Sequence, residues 1–204
     1  ESRGLGDVYK RQAGEIVWPD RLMMIFAEAI LPQNPGSIVV FDVKSSMRLK
    51  EFIIQNSGVP LPSKTGHSHI RQALIDSNAI LGGEFSGHIF FNDRWNGFDD
   101  GLYAAARLLE VLCNSDTDKV TSIDGILSKF DSSCFTPEIL IPIPETEKFK
   151  LMEKLINHCN FSDAQITTLD GIRVERNQSW GLIRASNTTP NLTLRFEANN
   201  NVDL

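Results

Sequence analysis

The sequence predicts a three-layer α/β/α domain with a mainly parallel mixed sheet, followed by a smaller α+β domain. Three observations carry this reading. Short apolar strands alternate with amphipathic helices through the first two thirds of the chain. The order changes near Thr136, where one helix is followed by several strands. The length of 204 residues, 41% of them hydrophobic, supports one large core or two of ordinary size.

The first helix is expected over residues 22–30, where Leu22, Ile25, Phe26 and Ala29 share a face and Pro19-Asp20 stand before it as a start signal. Asn34-Pro35-Gly36 is a turn, and residues 37–41 read as a buried strand. Residues 47–56 form a helix with Leu49, Phe52 and Ile53 inward; Gly58 ends it, and 59–61 is a short strand. A helix over 69–77 carries Ile70, Leu74 and Ile75 as its stripe. Residues 79–83 and 89–91 look like the two arms of a hairpin. The next helix, 101–113, has a stripe of Leu102, Ala105, Ala106, Leu109 and Leu112, and another helix spans 121–130.

Beyond the change of pattern, 140–144 is a strand that its prolines confine to an edge or an end. Residues 147–159 are an amphipathic helix; strands follow at 166–169, 171–175, 180–185 and 192–197. One helix over such a sheet leaves half of a face bare, so a further helix is expected to close it. Residues 1–12 show neither period and read as foreign to the rest.

The net charge of −6 and the lack of any basic patch exclude a nucleic-acid surface. The longest largely apolar runs, at 38–43 and 140–144, fall far short of the ~20 residues of a membrane helix. The polar first residues carry no secretory signal. Cys113, Cys134 and Cys159 are odd in number and widely spaced, which argues against disulfides and zinc and for a reducing cytoplasm.

Three polar stretches fall where loops are expected. Lys64-Thr65-Gly66-His67-Ser68 pairs a cation with a histidine that could bind phosphate or move a proton. In Gly83-Glu84-Phe85-Ser86-Gly87-His88, Glu84 can accept from two vicinal hydroxyls, and the glycines allow a tight turn. Arg184-Ala185-Ser186-Asn187-Thr188-Thr189-Pro190 has the donors of a phosphate cradle. Each has a plainer reading: a solvated pair, a hairpin loop, a polar turn. Lys44, at the carboxyl end of a strand, is equally a ligand contact or a surface lysine.

Together these stretches resemble the α-D-phosphohexomutase superfamily, and within it the phosphomannomutase/phosphoglucomutase branch. The resemblance adds Pro19-Asp20-Arg21-Leu22, Phe41-Asp42-Val43-Lys44, Trp95-Asn96-Gly97-Phe98-Asp99-Asp100-Gly101 and Thr167-Thr168-Leu169-Asp170-Gly171, all in family order from Ala13 onward. It implies a four-domain enzyme that interconverts hexose 1-phosphates and hexose 6-phosphates through a phosphoserine, with Mg2+ and a glucose 1,6-bisphosphate activator and intermediate. On this comparison residues 1–21 hold a non-family stretch and the end of the second domain. Residues 22–135 are the sugar-reading third domain, and 136–204 the phosphate-clamping, TATA-box-binding-protein-like fourth, truncated.

Carried over, Glu84 and Ser86 look like contacts to sugar O3 and O4, within a loop that includes Phe85, Gly87 and His88. Lys44 and His67 look like further ligand contacts, His67 with a potential acid/base role. Arg184, Ala185, Ser186, Asn187 and Thr188 look like the phosphate clamp. The sequence departs from the family in one respect. The stretch upstream of Ala13 has one aspartate, Asp7, where a three-aspartate metal loop belongs, and no phosphoserine loop is found in the chain. The expected partners are therefore hexose phosphates (glucose and mannose 1- and 6-phosphates) and the N-terminal domains of the same enzyme, with no nucleic acid and no membrane. Phosphoglucosamine mutase, which usually has Gln where Phe85 stands, and a non-catalytic sugar-phosphate-binding fragment are the alternatives.

Overall fold

The computed structural model describes residues 9–10, 16–113, 122–130 and 133–204, the first two by backbone alone. The chain splits into two compact units, Glu1–Asp131 and Ser132–Leu204. In the expected foreign stretch, β1 (Tyr9–Lys10) pairs antiparallel with β2 (Ile16–Val17); the rest of residues 1–12 lies outside the described residues.

The first unit is built on a four-stranded sheet. β3 (Ile38–Asp42), β4 (Val59–Ser63) and β5 (Leu81–Gly83) are linked through α2 (Met47–Gln55) and α3 (His67–Ser77). Such helical crossovers return the chain in the same direction, so β3 runs parallel to both β4 and β5. β6 (Ile89–Phe91) follows β5 through a short turn and is antiparallel to it, which completes the order β4-β3-β5-β6.

The alternation along β3 explains the layers. Val39 and Phe41 enter a core with α1 (Pro19–Ile30), α2, α4 (Gly101–Cys113) and α5 (Ile123–Leu127). Val40 enters a second core, on Ile70 and Leu74 of α3. Complete burial of side chains such as Phe26, Leu49 and Ile53 contributes about 1.5–3 kcal/mol each. This is the expected α/β/α arrangement around a mixed sheet.

Several details differ from the sequence reading. Pro19 and Asp20 lie inside α1, because proline at the first helical turn needs no N–H partner. Ile75 is exposed, and so are Leu102 (87%) and Leu109 (62%). The buried residues of α4 are Ala104, Arg107 and Leu108, while Leu112 of the expected stripe is half-buried against the same core. Arg107 is among them because it gives two 2.7 Å bonds to Asp93 and lies 4.7 Å above the Phe91 ring. α5 is only five residues long; beyond it Lys129 and Phe130 bond three residues back, to Ile126 and Leu127, which makes a tighter turn.

The second unit is an antiparallel sheet with one helix. Along its path the strands are β7 (Cys134–Phe135), β12 (Asn191–Ala198), β11 (Ser179–Ala185), β10 (Ile172–Glu175) and β9 (Gln165–Thr167). β8 (Ile139–Pro142) pairs with the other end of β12 and is an edge, as its proline requires. Because Phe135 and Cys134 pair with Glu197 and Ala198, residues 133–135 belong to this unit and not to the preceding domain. α6 (Glu145–His158) covers one sheet face with Met152, against Ile172, Ala185 and Leu192.

The other face is not a bare apolar surface. Arg173 pairs with Glu175 at 2.7 Å and lies 3.9 Å above the Trp180 ring, while Trp180 donates to Glu197 at 2.7 Å. Burial lowers the pKa of Arg173, against the pull of Glu175. Among the described residues no helix is long and apolar enough to cross a membrane, and all three cysteines are free.

Candidate functional site

In the first unit the site forms at the carboxyl ends of the three parallel strands. The segments after Asp42, Ser63 and Gly83 carry Lys44, His67 and the 84–88 loop. Open α/β sheets expose backbone and side chains for ligands at this edge. Asp42 is fully buried and accepts from the Ser45 hydroxyl at 2.9 Å and from Thr65 Oγ1 at 3.5 Å. Asp20, at the start of α1, accepts from the Ser46 N–H at 3.1 Å. Ser46 caps α2 by accepting from the Arg48 N–H at 3.0 Å. Two buried carboxylates thus hold the segment that bears Lys44.

The 84–88 loop is a tight turn. The Gly87 N–H donates to the Glu84 carbonyl at 3.0 Å, and the Glu84 N–H to the His88 carbonyl at 2.9 Å. Gly87 has φ +106°, a conformation that suits glycine. Phe85 points into the protein and stacks on Trp18 at 5.4 Å, with the Lys44 Nζ 5.8 Å from its ring centre. Ser86 is exposed at the tip.

Glu84 is the most unusual group. Only 3% of it is exposed. Its Oε1 accepts from the Gly66 N–H at 2.6 Å, whereas its buried Oε2 has no hydrogen-bond partner among the described residues. Burial pushes the carboxyl pKa up and Asp42 adds to this, against the Gly66 N–H, His88 and Lys44. A buried acceptor left open is costly unless a ligand fills it. His88 is held through Nδ1, 2.7 Å from Asp99 Oδ2, and its ring centre lies 6.2 Å from that of His67. Lys44, His67, Glu84 and His88 are therefore gathered at one edge.

In the second unit the Arg184–Thr188 stretch is the end of β11, Arg184 and Ala185, and the start of the β11–β12 hairpin loop. Arg184 is only 5% exposed. Its Nε donates to Asp170 Oδ2 at 3.0 Å. Its two terminal amino groups have no partner among the described residues. Gly171, beside Asp170, has φ +89°, and a Cβ there would collide with the Ile183 carbonyl oxygen. The turn beneath Arg184 therefore requires glycine. The Ser186 Oγ lies 3.2 Å from the Thr189 N–H and 2.8 Å from Thr189 Oγ1, while Asn187 and Thr188 are exposed.

Three contributors escape the sequence reading as site residues: Asp20, Asp170 and Lys148. Lys148 is fully buried and donates to the carbonyls of Ser186 (2.5 Å) and Thr189 (3.1 Å). A signal for it exists, since it stands in the apolar stripe of α6, four residues before Met152. No three carboxylate, imidazole or thiol groups converge to hold a metal among the described residues.

The first unit thus offers a strand-end edge with an open carboxylate, and the second a hairpin with a buried arginine below a donor-rich tip. The comparisons with known proteins show the family. Residues 18–130, more than half of the chain, match the family model "Phosphoglucomutase/phosphomannomutase, alpha/beta/alpha domain III", and the chain belongs to that family. A phosphomannomutase/phosphoglucomutase of Pseudomonas syringae is 47% identical over 192 residues, covering 94% of this chain and 40% of the relative. A phosphoglucomutase of Neisseria gonorrhoeae is 47% identical over 187 residues, with 91% and 40% covered. The crystal structure of a family protein from Burkholderia thailandensis superposes with a TM-score of 0.87 at 41% identity, covering 97% of this chain and 41% of that one. The chain thus spans about 40% of the length of the curated relatives it matches.

Proposed function

We propose that the chain is the sugar- and phosphate-recognising part of an enzyme that interconverts hexose 1-phosphates and hexose 6-phosphates. The observation that carries this reading is Glu84: a buried carboxylate with one oxygen fixed by a backbone N–H and the other open. Such a group is built to accept from hydroxyls, and sugars present vicinal hydroxyls.

In this reading the open oxygen of Glu84 and the exposed Ser86 hydroxyl take sugar O3 and O4. Those two positions are alike in both orientations of a hexose bisphosphate, so one pair of groups serves both halves of the reaction. Lys44 and His67 supply positive charge and donors. Arg184, Ser186, Asn187 and Thr188 hold the phosphate that is not being transferred, and binding energy there helps to position the reacting group. None of these groups reads C2, which fits the use of both glucose and mannose phosphates.

Phosphoryl transfer itself needs a nucleophile and charge neutralisation. The reading assigns the phosphoserine and Mg2+ to the part of the relatives' length that this chain does not span. Among the described residues no donor set fits Mg2+, and the role of this chain's own groups is to bind and orient the sugar phosphate. The test is a titration of the 204-residue chain with glucose 1-phosphate and mannose 1-phosphate. Both sugars should bind, weakly, and Glu84→Gln should weaken both. A loss confined to one sugar contradicts the O3/O4 role.

A further inference from the structure

We propose that Lys148 is a positioning residue for the hairpin loop, one that turns the loop's donors outward toward a phosphate. This rests on the reading of residues 184–188 as a phosphate clamp. The ammonium of Lys148 has three hydrogens and meets three acceptors: the Ser186 carbonyl at 2.5 Å, the Thr189 carbonyl at 3.1 Å and Glu145 Oε2 at 2.7 Å. It reaches the loop from a helix 38 and 41 residues earlier in the chain, so it ties the tip of a hairpin to the layer beneath it.

The consequence follows from peptide geometry. In a trans peptide the C=O of one residue and the N–H of the next point in opposite directions, and no peptide bond among the described residues is cis. When Lys148 draws the Ser186 carbonyl inward, the Asn187 N–H must face the other way, out of the protein. No partner for that N–H is found among the described residues.

The hydroxyls add to this. Ser186 Oγ and Thr189 Oγ1 lie 2.8 Å apart, so one hydroxyl hydrogen of the two joins them and the other is left to give. The lone pairs of Ser186 Oγ already face the N–H groups of Thr188 (3.4 Å) and Thr189 (3.2 Å). The loop therefore presents an outward N–H at Asn187 and keeps one hydroxyl hydrogen to give, while the carbonyls of Ser186 and Thr189 are turned toward a buried cation. That arrangement suits a tetrahedral oxyanion and suits a cation poorly.

The experiment uses the full 204-residue chain, labelled with 15N, and inorganic phosphate as the probe. In the wild type, phosphate should shift the Asn187 amide. In Lys148→Met that response should be lost or need about tenfold more phosphate, as expected when a charged hydrogen-bonding group is removed. Exchange of the Ser186 and Thr189 amides should quicken about as much, while Leu182 and Leu194 keep their protection. A Lys148→Met chain whose loop exchange and phosphate response match the wild type overturns the proposal and leaves the clamp reading standing. No response to phosphate at residues 184–189 in the wild type sinks the clamp reading, and this inference with it. Should Lys148→Met fail to fold, the wild type labelled with 15N-lysine decides. The Lys148 ammonium must exchange slowly and move on addition of phosphate; exchange as fast as that of surface lysines overturns the assignment.

Discussion

Replacing Glu84 by glutamine keeps the shape of the side chain and removes its charge, and the structure predicts opposite effects on binding and on stability. Glutamine Oε1 can still accept from the Gly66 N–H, now held by Glu84 Oε1 at 2.6 Å. What disappears is the charge on an oxygen that is buried and unpartnered. A hydrogen bond from a sugar hydroxyl to a charged acceptor contributes about 1.5–3 kcal/mol, so its loss should weaken hexose phosphate binding roughly 10- to 150-fold. Stability should move the other way at neutral pH.

The pKa of Glu84 is raised, chiefly by burial. A raised acid favours its protonated form in the folded state. Its penalty is therefore absent below the ordinary carboxylate range and grows as pH rises through the folded value. Relative to wild type, Glu84→Gln should gain melting temperature between pH 4 and pH 7. A gain of about 1 kcal/mol corresponds to ~2–4 °C for a chain of this size. The assays are thermal melts across that range and sugar-phosphate titrations at pH 7. A variant that loses stability relative to wild type as pH rises, or that binds as wild type does, refutes the account of Glu84.

Arg184→Ala should abolish the phosphate response and lower the melting temperature by an amount equivalent to about 1–3 kcal/mol, because it removes the charged bond from Arg184 Nε to Asp170 Oδ2. Gly171→Ala should cost at least about 2 kcal/mol in chemical denaturation, since a Cβ meets the Ile183 carbonyl in a left-handed backbone. Arg107→Ala should destabilise the first unit by ~1.5–3 kcal/mol by removing both 2.7 Å bonds to Asp93, which keeps only Arg94 beside it. Burial works against the Asp93 carboxylate, but Arg107 and the Arg94 N–H outweigh it and hold its pKa below the ordinary value. Its contribution to wild-type stability should be complete above the ordinary carboxylate range and fade as pH falls through the folded value. Acid melts of wild type and Arg107→Ala should converge there.

The layers of the first unit were legible because β3 is bounded by turn residues and its neighbours are amphipathic helices with clear faces. The α4 stripe was misread for a physical reason: Arg107 satisfies its charge on Asp93 and its plane on Phe91, so a polar residue fills an apolar position. Lys148 in α6 hid in the same way. Both stand at helical spacing from buried neighbours, and that spacing is the usable signal. The loops were legible from their composition, and the resemblance gave them roles. What composition could not reveal was which members turn inward. Phe85, Glu84 and Arg184 are buried while Ser86, Asn187 and Thr188 are exposed, a pattern set by Trp18, the Gly66 N–H and Asp170, which lie 14 to 67 residues from their partners in sequence.

In the proposed function Glu84 takes the hexose and the β11–β12 hairpin takes the phosphate. Residue-resolved NMR titration of the 15N-labelled chain with glucose 1-phosphate, and separately with inorganic phosphate, distinguishes the two roles. Glucose 1-phosphate should perturb the amides of Gly66, of residues 84–88 and of residues 184–188. Inorganic phosphate should perturb the 184–188 set and leave the Glu84 loop at its free position. Perturbations that avoid both loops, or a Glu84 loop that responds to phosphate alone as it does to the sugar phosphate, would contradict the account.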